Sequence, residues 1–187
     1  MFYPNYDVNN ITRWVKNGYI IKLKRGWYAF TECIQDRDMA LLIANQITEP
    51  SYISLHYALA FYGMIPETII QLTSVTTKKT ARYENAIGVF TYQTITPRLF
   101  FGYQPLSITN SYNGGRIYTI ATPEKALLDL LYLHPEYQTE DDFVQLRLDE
   151  DFMLYELNQV RFFVYLQLWF SPLLFNRVKL LLKSYNI

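Results

Sequence analysis

Apolar residues recur at helical spacing most clearly in residues 120–133. Ala126, Leu127, Leu130 and Leu131 form a stripe that Leu128 and Leu133 widen, so the pattern predicts a helix buried on more than one side. Thr122 is placed to cap it, Pro123 suits the first helical position, and Glu124 puts negative charge into the positive first turn. Within this segment Glu124 and Asp129 read as first-turn and surface charge.

Near the N-terminus Val8, Ile11, Trp14 and Val15 share one helical face, while Asn9, Thr12, Arg13 and Lys16 share another. Asn17-Gly18 ends that helix. Two short apolar runs, residues 19–23 and 27–30, then flank Lys24-Arg25-Gly26 and predict a β-hairpin with a basic tip. A helix with a basic outer face followed by a basic hairpin is the order of a recognition helix and wing. About seven residues precede the helix, so a partial winged helix-turn-helix is expected over residues 1–31. Arg and Asn can pair with base edges, and Lys22, Lys24 and Arg25 can meet phosphates. An ordinary solvated helix and hairpin stays open on these residues alone.

Downstream, residues 36–47 predict a helix with Met39, Leu42, Ile43 and Ile47 inward, broken by Glu49-Pro50. Ser54 is expected to cap a helix through Leu55, Ala58, Leu59 and Tyr62, closed by Gly63. Residues 69–77 and 89–95 read as strands joined by a linker over 78–88. An aromatic loop at residues 100–103 follows, then strands at 106–110 and 116–120 around Asn113-Gly114-Gly115. Thr139 is expected to cap a helix with Glu140, Asp141 and Asp142 in its first turn. A long helical region begins near residue 151, and Ser171-Pro172 breaks it and starts the last helix. The expected class is α+β: a partial winged helix-turn-helix, then a mixed domain over 36–187 with antiparallel hairpins and a helical C-terminal part.

Composition changes this picture little. The chain has 187 residues and a formal net charge of zero, so global charge selects no partner. Its distribution does: residues 1–30 carry Arg13, Lys16, Lys22, Lys24 and Arg25 against Asp7, a balance of +4. Residues 136–151 carry seven carboxylates against Arg147, a balance of −6. Cys33 is the only cysteine and cannot form an internal disulfide, and no signal-peptide order is present, which fits a cytoplasmic protein. The apolar run at 162–175 is interrupted by Gln167 and Ser171-Pro172, so no membrane span is expected.

Several blocks occur in a telling order. They are Trp14-x-x-x-Gly18-Tyr19-Ile20, Arg25-Gly26-x-Tyr28, Tyr52-Ile53-Ser54-Leu55 and Ala58-Leu59-x-x-Tyr62-Gly63-x-Ile65-Pro66. Thr73-Ser74-Val75-Thr76-Thr77-Lys78-Lys79-Thr80, Phe100-Phe101-Gly102-Tyr103 and Ala121-Thr122-Pro123-Glu124-Lys125-Ala126-Leu127-Leu128-Asp129 follow. Across residues 8–133 the chain resembles the AbiEi antitoxins and transcriptional regulators of type IV, abortive-infection toxin–antitoxin systems. The resemblance implies an N-terminal module that binds operator DNA and represses its own operon. It also implies a larger domain that opposes a nucleotidyltransferase-like toxin of the AbiEii type, without requiring a tight complex with it.

Catalytic chemistry finds little support. The carboxylate pair and Gly-Ser turn of a nucleotidyltransferase are missing from the pattern, and Asp141-Asp142 is explained by a helix start. His56 and His134 are the only histidines and lie far apart in sequence, so metal ligation is not expected. Ser54 and His56 are two apart on a predicted helix and do not face each other. Lys78, Lys79, Arg82 and Arg98, with Tyr83, Tyr92 and Tyr103, could form a second basic patch for RNA, a nucleotide or an acidic surface; a solvated loop beside a sheet is the alternative. No enzyme activity, cofactor or metal is expected. The expected DNA contacts are Asn9, Thr12, Arg13, Lys16, Lys22, Lys24 and Arg25. A protein-interaction module that neutralises a toxin or another partner through its large domain, without DNA, is the second reading.

Overall fold

In the computed structural model, residues 8–34, 37–108 and 115–185 are described. Helix α1 (Val8–Lys16) leads into an antiparallel ribbon of β1 (Ile20–Lys24) and β2 (Trp27–Phe30). Gly18, at φ +75°, closes α1 while the Tyr19 N–H donates to Trp14 O at 3.0 Å. The two-residue turn Arg25-Gly26 needs a positive φ at its second position, which Gly26 supplies at +79°. Ile20 and Leu23, three residues apart, are both buried, and the register shifts between Lys22 and Lys24.

A 3₁₀ turn (Thr31–Ile34) precedes α2 (Arg37–Ile47), β3 (Ser51–Ile53) and α3 (Leu55–Phe61). Strands β4 (Leu72–Thr76), β5 (Ala81–Asn85), β6 (Gly88–Thr94), β7 (Tyr103–Ser107) and β8 (Ile117–Ala121) complete a six-stranded sheet in the order β5-β6-β4-β3-β8-β7. The β4–β6 and β3–β8 pairs are parallel and the other three antiparallel, so the molecule is mixed α+β. Helix α4 (Pro123–Leu133) follows β8, then α5 (Glu140–Gln145), a π-helical turn (Phe152–Glu156), α6 (Gln159–Leu168) and α7 (Pro172–Ser184).

Helices cover both faces of the sheet. Tyr92 on β6 points one way and donates to Ala44 O of α2 at 2.6 Å. Tyr52 on β3 points the other way and donates to Asp129 of α4 at 2.9 Å. Strands β3 and β4 are therefore buried along their whole length, as strands covered on both faces must be. Helix α4 is the centre of the second layer: Ala126, Leu127, Leu128, Leu130 and Leu131 are fully buried, with α3, α6 and α7 packed around it.

Local expectations hold where the signal is local. Thr122 accepts from the Lys125 N–H, and Thr139 and Asp142 form a complete capping box on α5. Ser171 likewise caps α7 ahead of Pro172. Four readings change. The expected linker at 78–88 contains β5, whose alternation puts Arg82 and Glu84 outward and Tyr83 inward; a polar edge strand reads like a loop. The aromatic loop and the strand after it merge differently, because Tyr103 begins β7 and Pro105 is tolerated within it at the sheet edge. Ser54 does not cap α3: its side chain is drawn to Asp129 instead. Glu124 and Asp129 are buried rather than at the surface. The expected Asn113-Gly114 turn lies outside the described residues.

The ribbon is docked on the larger unit beside β5. Asn85 donates to Leu23 O at 3.2 Å, and the Lys24 ammonium donates to Ile47 O at the C-terminal end of α2. Lys24 Nζ also lies 4.6 Å from the Trp27 ring centre and 6.0 Å from that of Tyr83. Lys24→Ala should therefore destabilise the protein by about 1–2 kcal/mol, whereas Lys22→Ala or Arg25→Ala should stay within about 0.5 kcal/mol. Urea unfolding of the three variants tests this, and equal effects at all three positions would remove the anchoring role of Lys24.

Candidate functional site

The exposed basic surface lies on α1 and the ribbon. Residues 8–31 contain Arg13, Lys16, Lys22, Lys24 and Arg25 and no carboxylate. Thr12, Arg13, Lys16, Lys22 and Arg25 are exposed, and among the described residues none of these four cations forms an ion pair. Arg13 donates to Asn10 Oδ1 at 3.2 Å. Asn9 lies on α1, but its side chain is outside the described set. Lys24 is withdrawn from this surface by its bond to α2. Helix followed by ribbon is the order expected of a recognition helix and wing, and the residues before α1 lie outside the described set.

The second basic patch is not one surface group. Lys78 and Lys79 are exposed between β4 and β5, but Arg82 pairs with Glu84 at 2.7 Å. Arg98 donates to Trp169 O at 3.2 Å and covers the Phe170 ring at 5.8 Å. Tyr92 is buried, and burial pushes its phenol well above the ordinary range. Tyr83 packs edge-on against Tyr92 at 5.9 Å, and Tyr103 stacks on Tyr52 at 4.9 Å. Two free lysines remain of the four cations, without an open aromatic platform between them.

The strongest concentration of chemistry is inside. Lys125 and Asp129, one helical turn apart on α4, form an ion pair with both side chains fully buried. Tyr52 of β3 and Ser54, between β3 and α3, donate to Asp129 Oδ2 at 2.9 and 2.8 Å. The ammonium of Lys125 lies 4.6 Å from Trp169, 5.1 Å from Phe101 and 5.5 Å from Tyr52, measured to ring centres. Burial draws both groups towards neutrality, lowering Lys125 and raising Asp129, while their mutual attraction and the hydrogen bonds oppose that drift. Lysine, serine, tyrosine and aspartate in contact could serve nucleophilic chemistry, but this set is sealed: neither member of the ion pair nor Ser54 or Tyr52 has any exposed surface. A substrate cannot reach it, so the arrangement holds α4 to β3. The signal in the sequence was Lys and Asp at i, i+4 on a helix apolar on every other side.

Glu124 ties the same helix to α6. Its Oε1 accepts from Asn158 N at 2.9 Å and Arg161 Nη2 at 3.2 Å; Arg161 Nε stands 3.0 Å from Oε2, too bent for a hydrogen bond but close enough for an ion pair.

The fold also joins the two histidines. Their rings meet edge to face at 5.5 Å. His56 contacts the Tyr137 hydroxyl at 3.2 Å, and His134 contacts Glu136 at 2.7 Å and Gln93 at 3.0 Å. His56, Glu67, Glu136 and Tyr137 help line a cavity of about 380 Å³. Among the described residues no group of three or more His, Cys, Asp and Glu side chains is arranged to hold a metal ion. Burial, and then the neighbouring His134, lower the pKa of His56, against the weaker pull of Glu136 and Glu67.

Two outcomes follow from these interiors. Lys125→Met should cost about 3–5 kcal/mol, because it leaves Asp129 buried without its cation, while the double variant Lys125→Met/Asp129→Leu should cost less than Lys125→Met and Asp129→Leu together. Chemical denaturation of the four proteins measures this, and strict additivity would refute the coupling. For His56, a folded pKa below the unfolded value means that the unfolded chain binds more protons below about pH 6.5, so stability falls as pH drops from there. His56→Phe should flatten that acid limb in thermal melts between pH 7 and 5; an unchanged slope would assign it to other groups.

Compared with known proteins, the chain matches no protein-family model and no curated protein.

Proposed function

We propose that this chain is a DNA-binding regulator of the AbiEi type, in which α1 and the ribbon contact operator DNA and the larger domain opposes a nucleotidyltransferase-like toxin. The observation that carries the DNA-binding part is the exposed set Arg13, Lys16, Lys22 and Arg25 in a segment without a carboxylate. Thr12, Arg13 and Lys16 would face the major groove, and Lys22 and Arg25 would hold phosphates. The larger domain supports the family reading through its interior. Tyr52 and Ser54, Phe101 and Gly102, and Lys125 and Asp129 come from three separate blocks of the resemblance, and they converge on one centre. No catalytic role for this chain is part of the proposal. Among the described residues no helix is long and apolar enough to cross a membrane.

The second reading, a protein-interaction module that acts without DNA, has one observation in its favour. Val160, Phe163, Val164, Leu168, Leu173 and Phe175 leave a broad apolar surface exposed on α6 and α7.

Binding to the DNA upstream of the protein's own reading frame should weaken steeply with salt. Two phosphate contacts, at Lys22 and Arg25, give a slope of about −1.8 in log K against log salt. Arg13→Ala/Lys16→Ala/Arg25→Ala should abolish most of that affinity. A flat salt response, or retained binding by this variant, would refute the DNA interface. DNA binding by the unaltered chain separates the two readings, and co-expression of the same variant with the toxin tests their shared part: rescue without DNA binding places antitoxin action in the larger domain.

A further inference from the structure

The ribbon has two faces, and the fold covers one of them and leaves the outer part of the other open. Leu23, Lys24 and Trp27 serve the docked side, where Lys24 reaches Ile47 O and Leu23 O accepts from Asn85. The other side is set by the register: Lys22 stands opposite Tyr28, and Ile20 opposite Phe30. Ile20 is buried, but Lys22 is exposed, Tyr28 is 37% exposed and Phe30 63%. Tyr19, at the foot of the ribbon, is 62% exposed. Neither Tyr28 nor Phe30 makes a ring contact within the described protein.

Exposed aromatic rings interleaved with cations, in a stretch without a carboxylate, match a ligand that offers both flat apolar faces and negative charge. Nucleic acid does; a duplex hides its base faces, and a single strand presents them. Spacing makes the same distinction. Tyr28 and Phe30 are two residues apart on one strand face, about 6.8 Å along the strand. Stacked bases on one duplex strand are about 3.4 Å apart. Two rings at twice that interval suit bases spread along an extended backbone, with Lys22 beside Tyr28 placed for the intervening phosphate. This face carries no further polar side chain that could select a ribose 2′-hydroxyl or a particular base edge.

We infer that the free face of the β1–β2 ribbon is a binding site for single-stranded DNA, in which Tyr28 and Phe30 stack on bases and Lys22 and Arg25 meet phosphates, without sequence preference. The inference rests on the nucleic-acid reading of this module and adds a second ligand form to it. A protein that holds both duplex and unpaired DNA can engage a site where the duplex is locally opened.

Fluorescence anisotropy on the full chain tests it, with four labelled probes of equal length: an oligothymidylate, the same strand with abasic sites, a duplex and an oligouridylate. The oligothymidylate should bind at least about tenfold tighter than the abasic strand, and Tyr28→Ala/Phe30→Ala should remove at least about tenfold of that affinity while changing duplex affinity less than about threefold. Both positions are exposed, so unchanged thermal melting is expected to accompany the loss. Equal binding of abasic and intact strands would reduce the site to electrostatics and overturn the inference, as would an unaffected double variant. Oligouridylate bound about tenfold tighter than oligothymidylate would overturn the assignment to DNA. Duplex binding that is lost in Arg13→Ala/Lys16→Ala, without any single-strand binding, would leave the regulator reading standing and this inference refuted. Self-association abolished by Tyr28→Ala/Phe30→Ala, with no binding to the oligothymidylate, would assign the face to a second copy of the chain instead.

Discussion

The Lys125–Asp129 pair constrains more of this fold than any other contact. Two opposite charges fully removed from water lose several kcal/mol of hydration each, and their attraction offsets that only when the remaining hydrogen-bonding capacity is filled. Helix α4 supplies the pair itself, since residues four apart share a face. The sheet supplies the rest through Tyr52 and Ser54, and the walls are aromatic rings that present their negative faces to the ammonium. An apolar helix alone could slide or rotate against an apolar sheet at small cost. With Asp129 bound to Tyr52 of β3 and to Ser54 two residues on, only one placement of α4 leaves no charge unpaired.

That placement has consequences around it. Ser54 gives its hydroxyl to Asp129, so α3 begins without a side-chain cap, and its first residue, Leu55, adopts φ +60° to turn the chain out of β3. A left-handed conformation costs a non-glycine residue roughly 1–2 kcal/mol. The local structure holds it with Thr73, which accepts from the Tyr57 N–H at 3.2 Å and donates to Ser54 O at 2.6 Å. Gly102 closes the other side: at φ +73° it lies against the Lys125 stem, and an added Cβ would stand 2.9 Å from the Tyr165 ring. A side chain there would collide with the wall of the centre as well as strain the backbone.

These relations explain what the chain discloses on reading and what it conceals. Caps at Thr122, Thr139 and Ser171 are legible because donor and acceptor are three residues apart. The burial of Asp129 is not, because Tyr52 and Ser54 are 77 and 75 residues away and a charged residue on a helix ordinarily faces water. Strand β5 escapes notice because Arg82, Glu84 and Asn85 make it mostly polar and it lies at an edge, where the usual apolar signature is not required. The basic residues at the N-terminus are legible as charge, but their division of labour is not. Lys22 and Lys24 are both lysines on one short strand, and the register shift between them is what leaves one in solvent and sends the other to Ile47 O.

That division also governs how the basic surface is presented. The carbonyl of Ile47 is one of those left unpaired at the end of α2, where the helix dipole is negative, and an ammonium is the natural group to meet it. Asn85 adds a second backbone contact from the other side of the docking seam. A ribbon fixed at two carbonyls does not behave as a tethered module. Its free face keeps one orientation relative to the sheet, so the exposed cations and rings need no further ordering when a ligand arrives. Affinity then depends less on the number of contacts than on how much of the ordering cost the fold has already met. The structural role of Lys24 is thus the condition under which Lys22, Arg25, Tyr28 and Phe30 can act as one surface.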